Sequence, residues 1–461
     1  MALIKSISGI RGTIGGKVND NLTPIDAVKF AAAYGMWLKE QNSTKTLTVV
    51  LGRDARISGE MISGLVSNTL VGLGVNVIDL GLSTTPTVEI AVPMESAHGG
   101  IIITASHNPK EWNALKLLNE KGEFLNAEEG KKILKIAEKD AFFFADVDDL
   151  GTYKKVSGYI DKHIEEVLKL KLVDVKAIKE ANFKVVVDAV NSTGGIAIPA
   201  LLDKLGVACV KLYCEPNGHF PHNPEPLKEH LTDLSELVVK EKADLGIVVD
   251  PDVDRLAIVC EDGAMFGEEY TLVACADYVL EQLKGGDTVS NLSSSRALKD
   301  VTEKHGGTYT ASAVGEVNVV IEMKKTKAVI GGEGNGGIIY PESHYGRDSL
   351  VGVALFLSHL AHKKISCKAL RGTYPNYFMS KKKIVLTPDI DVDDILNKMA
   401  IEYKNEEVNT IDGVKIDFAS EWVHLRKSNT EPIIRIYTES LSQEKADKLA
   451  DRIISEIKTL I

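Results

Sequence analysis

The 461-residue chain has five cysteines, Cys209, Cys214, Cys260, Cys275 and Cys367. They form no CxxC pair, and an odd set suits neither a disulfide framework nor a zinc site, so a reducing cytoplasm is the expected home. Aromatic residues are scarce at 6%. No window approaches the ~20 consecutive apolar residues a membrane helix needs. The opening "MALIKSISGIRG" lacks the apolar core and cleavage site of a secretory signal. Positive charge is also short, with a formal net charge of −11. That balance argues against a general nucleic-acid surface, although local arginines can still hold a small anion.

What is present is an ordinary globular composition, 44% hydrophobic and 26% charged, long enough for three or four domains. Three segments repeat one plan of apolar strand, polar or glycine-containing loop, helix and second strand. They are "TLTVVLGRDARISGEMISGLVSNTLVGLGVNVIDLG", "ANFKVVVDAVNSTGGIAIPALLDKLGVACVKLY" and "GGDTVSNLSSSRALKDVTEKHGGTYTASAVG". Nearly continuous apolar strands point to mainly parallel sheets covered on both faces. The tail changes character, with strands "KKKIVLT" and "IIRIYTE" before a last helix. In that helix Ala446, Leu449, Ala450, Ile453, Ile454, Ile457 and Leu460 line one face. Expected boundaries divide the chain into α/β domains 1–152, 153–257 and 258–371 and an α+β domain 372–461.

In "ADLGIVVDPDVDRLAIVCEDG", Asp250, Asp252 and Asp254 stand on alternate positions after an apolar strand. Like charges this close repel by about 4 kcal/mol per pair at an effective dielectric near 20. A cation relieves that, and all-oxygen ligation suits magnesium or calcium. A calcium-binding EF-hand is the rival reading, its spacing imitated as far as Glu261. Arg255 stands where that loop needs glycine, and the flanks read as strands. The stretch "RKSNTEPIIRIYTE" combines Arg426, Ser428, Asn429, Thr430 and Arg435, suitable equipment for a phosphate dianion. In "GGEGNGGIIYPESHYGRD", glycines flank Glu333 and Asn335, which could bond sugar hydroxyl or amino groups. Arg11, Arg53 and Arg56 read equally well as surface charge. Trp112 and Phe142–Phe144 read as packing residues.

Ser106 and His107 lie in "TASHNP", which is not the G-x-S-x-G elbow of a hydrolase. If the segment is extended, His107 points away from Ser106 and need not be its base. A phosphoserine facing the aspartates fits the remaining equipment better. Lys116 could neutralise charge, or exchange a proton with a substrate hydroxyl if desolvation lowers its pKa.

Taken together and in this order, "TASHNP", "DPDVDR", "GEGNGG" and "RKSNTEP" resemble the phosphoserine, magnesium, sugar-binding and phosphate-binding loops of the α-D-phosphohexomutases, over essentially the whole chain. The resemblance implies four domains around a central cleft, each contributing one loop. It implies that Ser106 is phosphorylated and that Asp250, Asp252 and Asp254, with a phosphoserine oxygen, hold one Mg2+ per chain. Arg11, His107 and Lys116 would be the catalytic neighbourhood, with Lys116 the first choice for acid or base. Arg255 would bind substrate beside the magnesium centre, Glu333 and Asn335 would recognise sugar groups, and Arg426, Ser428, Asn429, Thr430 and Arg435 would hold the non-reacting phosphate. The implied reaction interconverts hexose 6- and 1-phosphates through a hexose 1,6-bisphosphate, with a phosphosugar as the only expected partner besides a second copy of the chain; monomer and homodimer stay open. Many phosphomannomutase/phosphoglucomutase members carry GE-x-S-G-H in the sugar loop. Here Asn335 and Gly337 fill those places, a pattern closer to phosphoglucosamine mutases, so glucosamine phosphate is the expected substrate ahead of mannose or glucose phosphate. A phosphatase using the same serine and metal is the remaining enzyme rival.

Overall fold

A computed structural model describes residues 3–6, 9–44, 46–387, 390–427 and 433–460. The chain divides into one unit of residues 1–279 and 335–370 and another of 280–334 and 371–461.

In the first unit, alternation along the strands sends side chains to two cores on opposite faces of one sheet. Val49, Leu51, Ile101 and Ile103 meet the helices Pro24–Gln41, Gly59–Gly72 and Ala127–Lys139. Val50 and Ile102 turn instead to Val88, Ala91 and Val92 of the helix Thr85–Met94. This mixed sheet has seven strands, in the order Ile4–Ser6, Gly9–Thr13, Trp112–Leu118, Gly99–Ile103, Leu47–Arg53, Val75–Leu82, Tyr153–Lys155. The strands 99–103, 47–53, 75–82 and 153–155 run parallel, while 112–118 returns antiparallel and pairs Lys116 with Ile102. The helix Pro24–Gln41 starts at a capping box in which Thr23 and Asp26 satisfy each other's backbone.

A second sheet in this unit has four strands, in the order Leu256–Cys260, Leu245–Val249, Lys184–Asp188, Ala208–Leu212. Only 256–260 is antiparallel, so it and 245–249 form a hairpin closed by residues 250–255. The helix Ser349–Lys363, buried from Ser349 to Ala361, belongs to the same unit.

The second unit contains parallel strands Thr288–Asn291, Tyr309–Ser312 and Ile330–Glu333, with 288–291 in the middle. It also holds a five-stranded antiparallel sheet, Phe378–Val385, Ile433–Ser440, Trp422–Lys427, Val414–Asp417, Glu407–Asn409. Its core joins Ile416, Val423, Leu425, Ile434 and Ile436 to Leu449, Ala450, Ile453 and Ile457 of the helix Gln443–Leu460. Two packing expectations need correction. Leu460 is exposed because it lies in the last turn, past the edge of the core, and Phe143 and Phe144 are exposed while only Phe142 packs inward. No helix among the described residues is long and apolar enough to cross a membrane.

Candidate active site

Ser106 leaves the central strand Gly99–Ile103 on a loop held by buried polar groups. Its N–H donates to Thr104 Oγ1 at 2.9 Å, and Thr104 Oγ1 donates to Asp54 Oδ2 at 2.7 Å. Arg56, 1% exposed, completes the clamp. Its Nε donates to Asp54 Oδ2 at 3.0 Å, Nη1 to the carbonyls of Pro109 and Trp112 at 2.7 and 2.9 Å, and Nη2 to those of Ser106 and Asn108. The sequence left Arg56 as a candidate surface charge; it is instead buried because five carbonyl and carboxylate oxygens surround its planar fork. Arg11 Nη1 donates to Asn108 Oδ1 at 2.9 Å.

Ser106 has φ of +49°, so the loop is not extended there. His107 consequently does not point away: its Nδ1 lies 3.5 Å from Ser106 Oγ. Burial, and then Arg255 and Arg11, push the imidazole down to about 2, so it is neutral at neutral pH. Ser106 Oγ itself donates to Asp250 Oδ2 at 2.6 Å.

Asp250, Asp252 and Asp254 are all 0% exposed, with ligand oxygens within 4.8 Å of one another. The hairpin brings them together. Asp250 Oδ1 accepts from the N–H groups of Asp254 and Arg255 at 3.2 and 3.1 Å, and Val253 takes a left-handed φ of +65°. Burial, with Asp254 and Asp252 nearby, pushes the Asp250 carboxyl well above its ordinary range. Burial acts on Asp254 too, but Arg347, Lys116 and Arg255 outweigh it and hold that carboxyl low. Asp252 Oδ1 and Asp254 Oδ1 are buried without a hydrogen-bond partner. Such oxygens fit a hard cation that takes oxygen ligands, so the residues present suit magnesium.

Lys116 Nζ donates to Asp252 Oδ2 at 2.7 Å and to Asp254 Oδ2 at 3.3 Å. Here the expectation of a lowered lysine pKa is corrected: burial does pull it down, but Asp252 and Asp254 outweigh burial and raise it. Two neighbours had no sequence signal. Thr85 Oγ1 donates to Asp252 Oδ2 at 2.6 Å, and Arg347 Nη2 to Asp254 Oδ2 at 2.6 Å. Both stand far along the chain from the aspartates; Thr85 lies in no motif, and Arg347 lies near the end of the glycine-rich segment "GGEGNGGIIYPESHYGRD", outside the residues singled out there. Arg255 is half-buried, its Nη1 3.9 Å from Glu225 Oε1. Asn335 Oδ1 accepts from Gly337 N–H at 3.2 Å.

In the second unit, Glu333 is buried at the end of its parallel strand, accepting from Asn291 Nδ2 at 2.8 Å and Gly315 N–H at 3.2 Å. Arg426 and Arg435 are directly opposite on adjacent strands. Facing like charges are unfavourable there. Asp412 offsets one of them, its Oδ2 lying 2.9 Å from Arg426 Nε, and Arg435 is exposed. Ser428, Asn429 and Thr430 lie outside the described residues.

The family models described as phosphoglucomutase/phosphomannomutase, alpha/beta/alpha domains I, II and III match residues 4–143, 158–263 and 267–377, and the C-terminal domain model matches 384–456. The chain belongs to this family. It is 37% identical to a phosphoglucomutase/phosphomannomutase of Thermococcus kodakarensis, over 94% of this chain and 95% of that one. It is 31% identical to a phosphoglucosamine/phosphogalactosamine mutase of Sulfurisphaera tokodaii, over 100% and 99%. A crystal structure of a phosphoglucomutase/phosphomannomutase family protein from Burkholderia thailandensis matches with a TM-score of 0.85 at 26% identity, covering 99% and 98%. Phosphohexomutase activity, an isomerisation, is therefore the activity of this family member, and its fold is the four-domain α/β architecture of the family.

Proposed function

We propose that the chain interconverts glucosamine 6-phosphate and glucosamine 1-phosphate through phosphoserine 106 and a 1,6-bisphosphate. One observation carries the mechanism: the Ser106 hydroxyl is bonded to Asp250 of a buried three-carboxylate loop that retains two unpartnered oxygens. The frame is the division at residues 152, 257 and 371, with one loop from each domain.

In the forward transfer a sugar hydroxyl oxygen attacks phosphorus, the bond from phosphorus to Ser106 Oγ breaks, and the hydroxyl proton leaves to a base. His107, 3.5 Å from Ser106 Oγ, and Lys116, charged between two carboxylates, are the candidates for this proton exchange; the burial and the arginines that depress His107 have to be offset by the incoming phosphate before it takes a proton. The bisphosphate then turns over, and Ser106 Oγ attacks its other phosphorus, releasing the isomerised sugar phosphate. Magnesium, when bound at Asp250, Asp252 and Asp254, supplies positive charge to the phosphoryl oxygens. Arg11 holds the serine loop through Asn108, Arg255 binds substrate beside the carboxylate loop, and Glu333 and Asn335 recognise the sugar. Arg426, Ser428, Asn429, Thr430 and Arg435 take the phosphate that is not reacting, an anion that relieves the opposed arginine pair.

Glucosamine is supported by the amide at Asn335 and the bare Gly337, and by the name of the Sulfurisphaera relative; the name of the Thermococcus relative supports glucose and mannose. Two measurements test the reading. Ser106→Ala is expected to abolish interconversion without unfolding, and near-normal turnover in that variant sinks the phosphoserine. Turnover on glucosamine, mannose, glucose and N-acetylglucosamine phosphates, with bisphosphate supplied, is expected to rank glucosamine first, and any other ranking removes the substrate preference. Stoichiometric free phosphate would instead establish a phosphatase.

A further inference from the structure

Gly337 has no backbone reason to be glycine. It lies in the strand Gly337–Ile339 with φ outside the left-handed region. Space is the reason. A Cβ on Gly337 would lie 2.2 Å from Cδ and 3.0 Å from Cγ of Arg347, well inside the ~4 Å of ordinary contact. The arginine stem crosses the bare glycine, and a side chain there and this arginine exclude each other.

The stem is fixed at its root. Arg347 bridges Ile339, and Asp348 N–H donates to Ile338 O at 2.8 Å. Asp348 then caps the helix Ser349–Lys363 and is bonded to His163 Nε2 at 2.9 Å. The head of Arg347 reaches Asp254 Oδ2 at 2.6 Å, the oxygen that Lys116 Nζ also approaches at 3.3 Å, and the residue is 7% exposed. Its field is among those that depress His107, next to Ser106. A planar, permanently charged fork is thus aimed at Asp254, in the carboxylate loop whose Asp250 accepts from the Ser106 hydroxyl.

We propose that Arg347 is a catalytic arginine of phosphoryl transfer: glycine at 337 opens the sugar loop so that a guanidinium, in place of a side chain of the loop itself, meets the phosphoryl group carried by Ser106. The inference rests on the phosphoserine reading above and adds to it a residue that the loop motifs do not contain. It also makes Gly337 and Arg347 one device, neither useful without the other.

The test follows transfer from glucose or glucosamine 1,6-bisphosphate to Ser106, timed by intact mass, in the full chain and in Arg347→Met, Arg347→Lys and Gly337→Val. Mn2+ affinity is read separately by electron paramagnetic resonance without substrate. Arg347→Met, which keeps the stem and loses the charge, is expected to slow transfer about 100-fold, the scale for removing one transition-state donor. Its Mn2+ affinity is expected to hold or tighten, since one competing positive charge has gone. Arg347→Lys restores only part of the rate because a point charge lacks the fork. Gly337→Val slows transfer by displacing the stem, and is expected to add little further in an Arg347→Ala background, where no stem is left to displace. Transfer in Arg347→Met within about threefold of wild type overturns the proposal, being far short of a lost donor. So does slow transfer accompanied by clearly weaker Mn2+ binding, which would make Arg347 only a holder of Asp254. If wild-type Ser106 accepts no phosphoryl group from either bisphosphate, the phosphoserine reading itself falls, a result separate from any difference among the variants.

Discussion

Arg56 engages every edge of its guanidinium, and four of its acceptors are carbonyls of the loop that carries Ser106. A lysine there keeps the charge but can reach only some of those oxygens, and Asp54, still fully buried, loses its guanidinium bond and keeps Thr104 and the backbone N–H of position 56. Arg56→Lys is therefore expected to lower kcat by about 100-fold, because misplacing a reacting group by about 1 Å is enough for that. It is also expected to destabilise the fold by about 3 kcal/mol, the scale for breaking a buried ion pair. Steady-state kinetics and urea unfolding check the two effects, and a variant with wild-type kcat ends the positioning role. The three aspartates were legible as candidates because their carboxylates stand on alternate positions, whereas Ser106 was legible as a candidate only beside the other motifs, the nearest aspartate being 144 positions away. Arg56 was not, since its partner Ser106 lies 50 positions away, and a lone arginine reads as surface charge until the fold encloses it. Lys116 was legible as a candidate but not in its ionisation, which depends on two carboxylates brought to it from 136 and 138 positions away.

At the scale of elements, strands that read as apolar runs proved to be sheet strands, and each of the three repeated segments contains the expected strand, helix and second strand. The hairpin around the aspartates was foreseeable too, from two apolar runs flanking a short polar turn. Helix ends were harder. The 3.6-residue period continues through Leu460, but the core it would face stops earlier, so periodicity overstated the buried stripe. The same helix supplies a packing test. Ile453, fully buried against the antiparallel sheet, should cost about 3 kcal/mol as Ile453→Ala, whereas Leu460→Ala should cost under about 0.5 kcal/mol. Comparable losses in urea melts of the two variants would refute the assigned core.

The whole molecule is where sequence reading saw least, because contiguous motifs do not reveal that the first unit is built from two separated stretches of chain. In the second unit, His424 is buried with Nε2 donating to Asp412 O at 2.7 Å and Nδ1 paired with Ser293 Oγ at 2.9 Å. Burial, aided by Arg426, pushes its pKa from 6.5 down to about 4. The unfolded chain then binds the proton more readily, so stability from this group is complete above pH 6.5 and declines as pH falls toward 4. The full loss is about 3 kcal/mol. Wild type is expected to lose more stability than His424→Gln between pH 7 and pH 4.5, and a difference between the two that stays constant with pH refutes the assignment. The divided first unit also orders events on the ribosome. Asp250, Asp252 and Asp254 are synthesised long before Arg347 and the buried helix Ser349–Lys363, so a nascent chain holds the acidic loop without the arginine that bonds to it. No single cut frees a complete copy of either unit: shortening the chain from the C-terminal side takes the second unit apart before it touches the first, and removing the second unit as a block also requires rejoining residue 279 to residue 335. A version reduced to the first unit would have to be respliced, not trimmed.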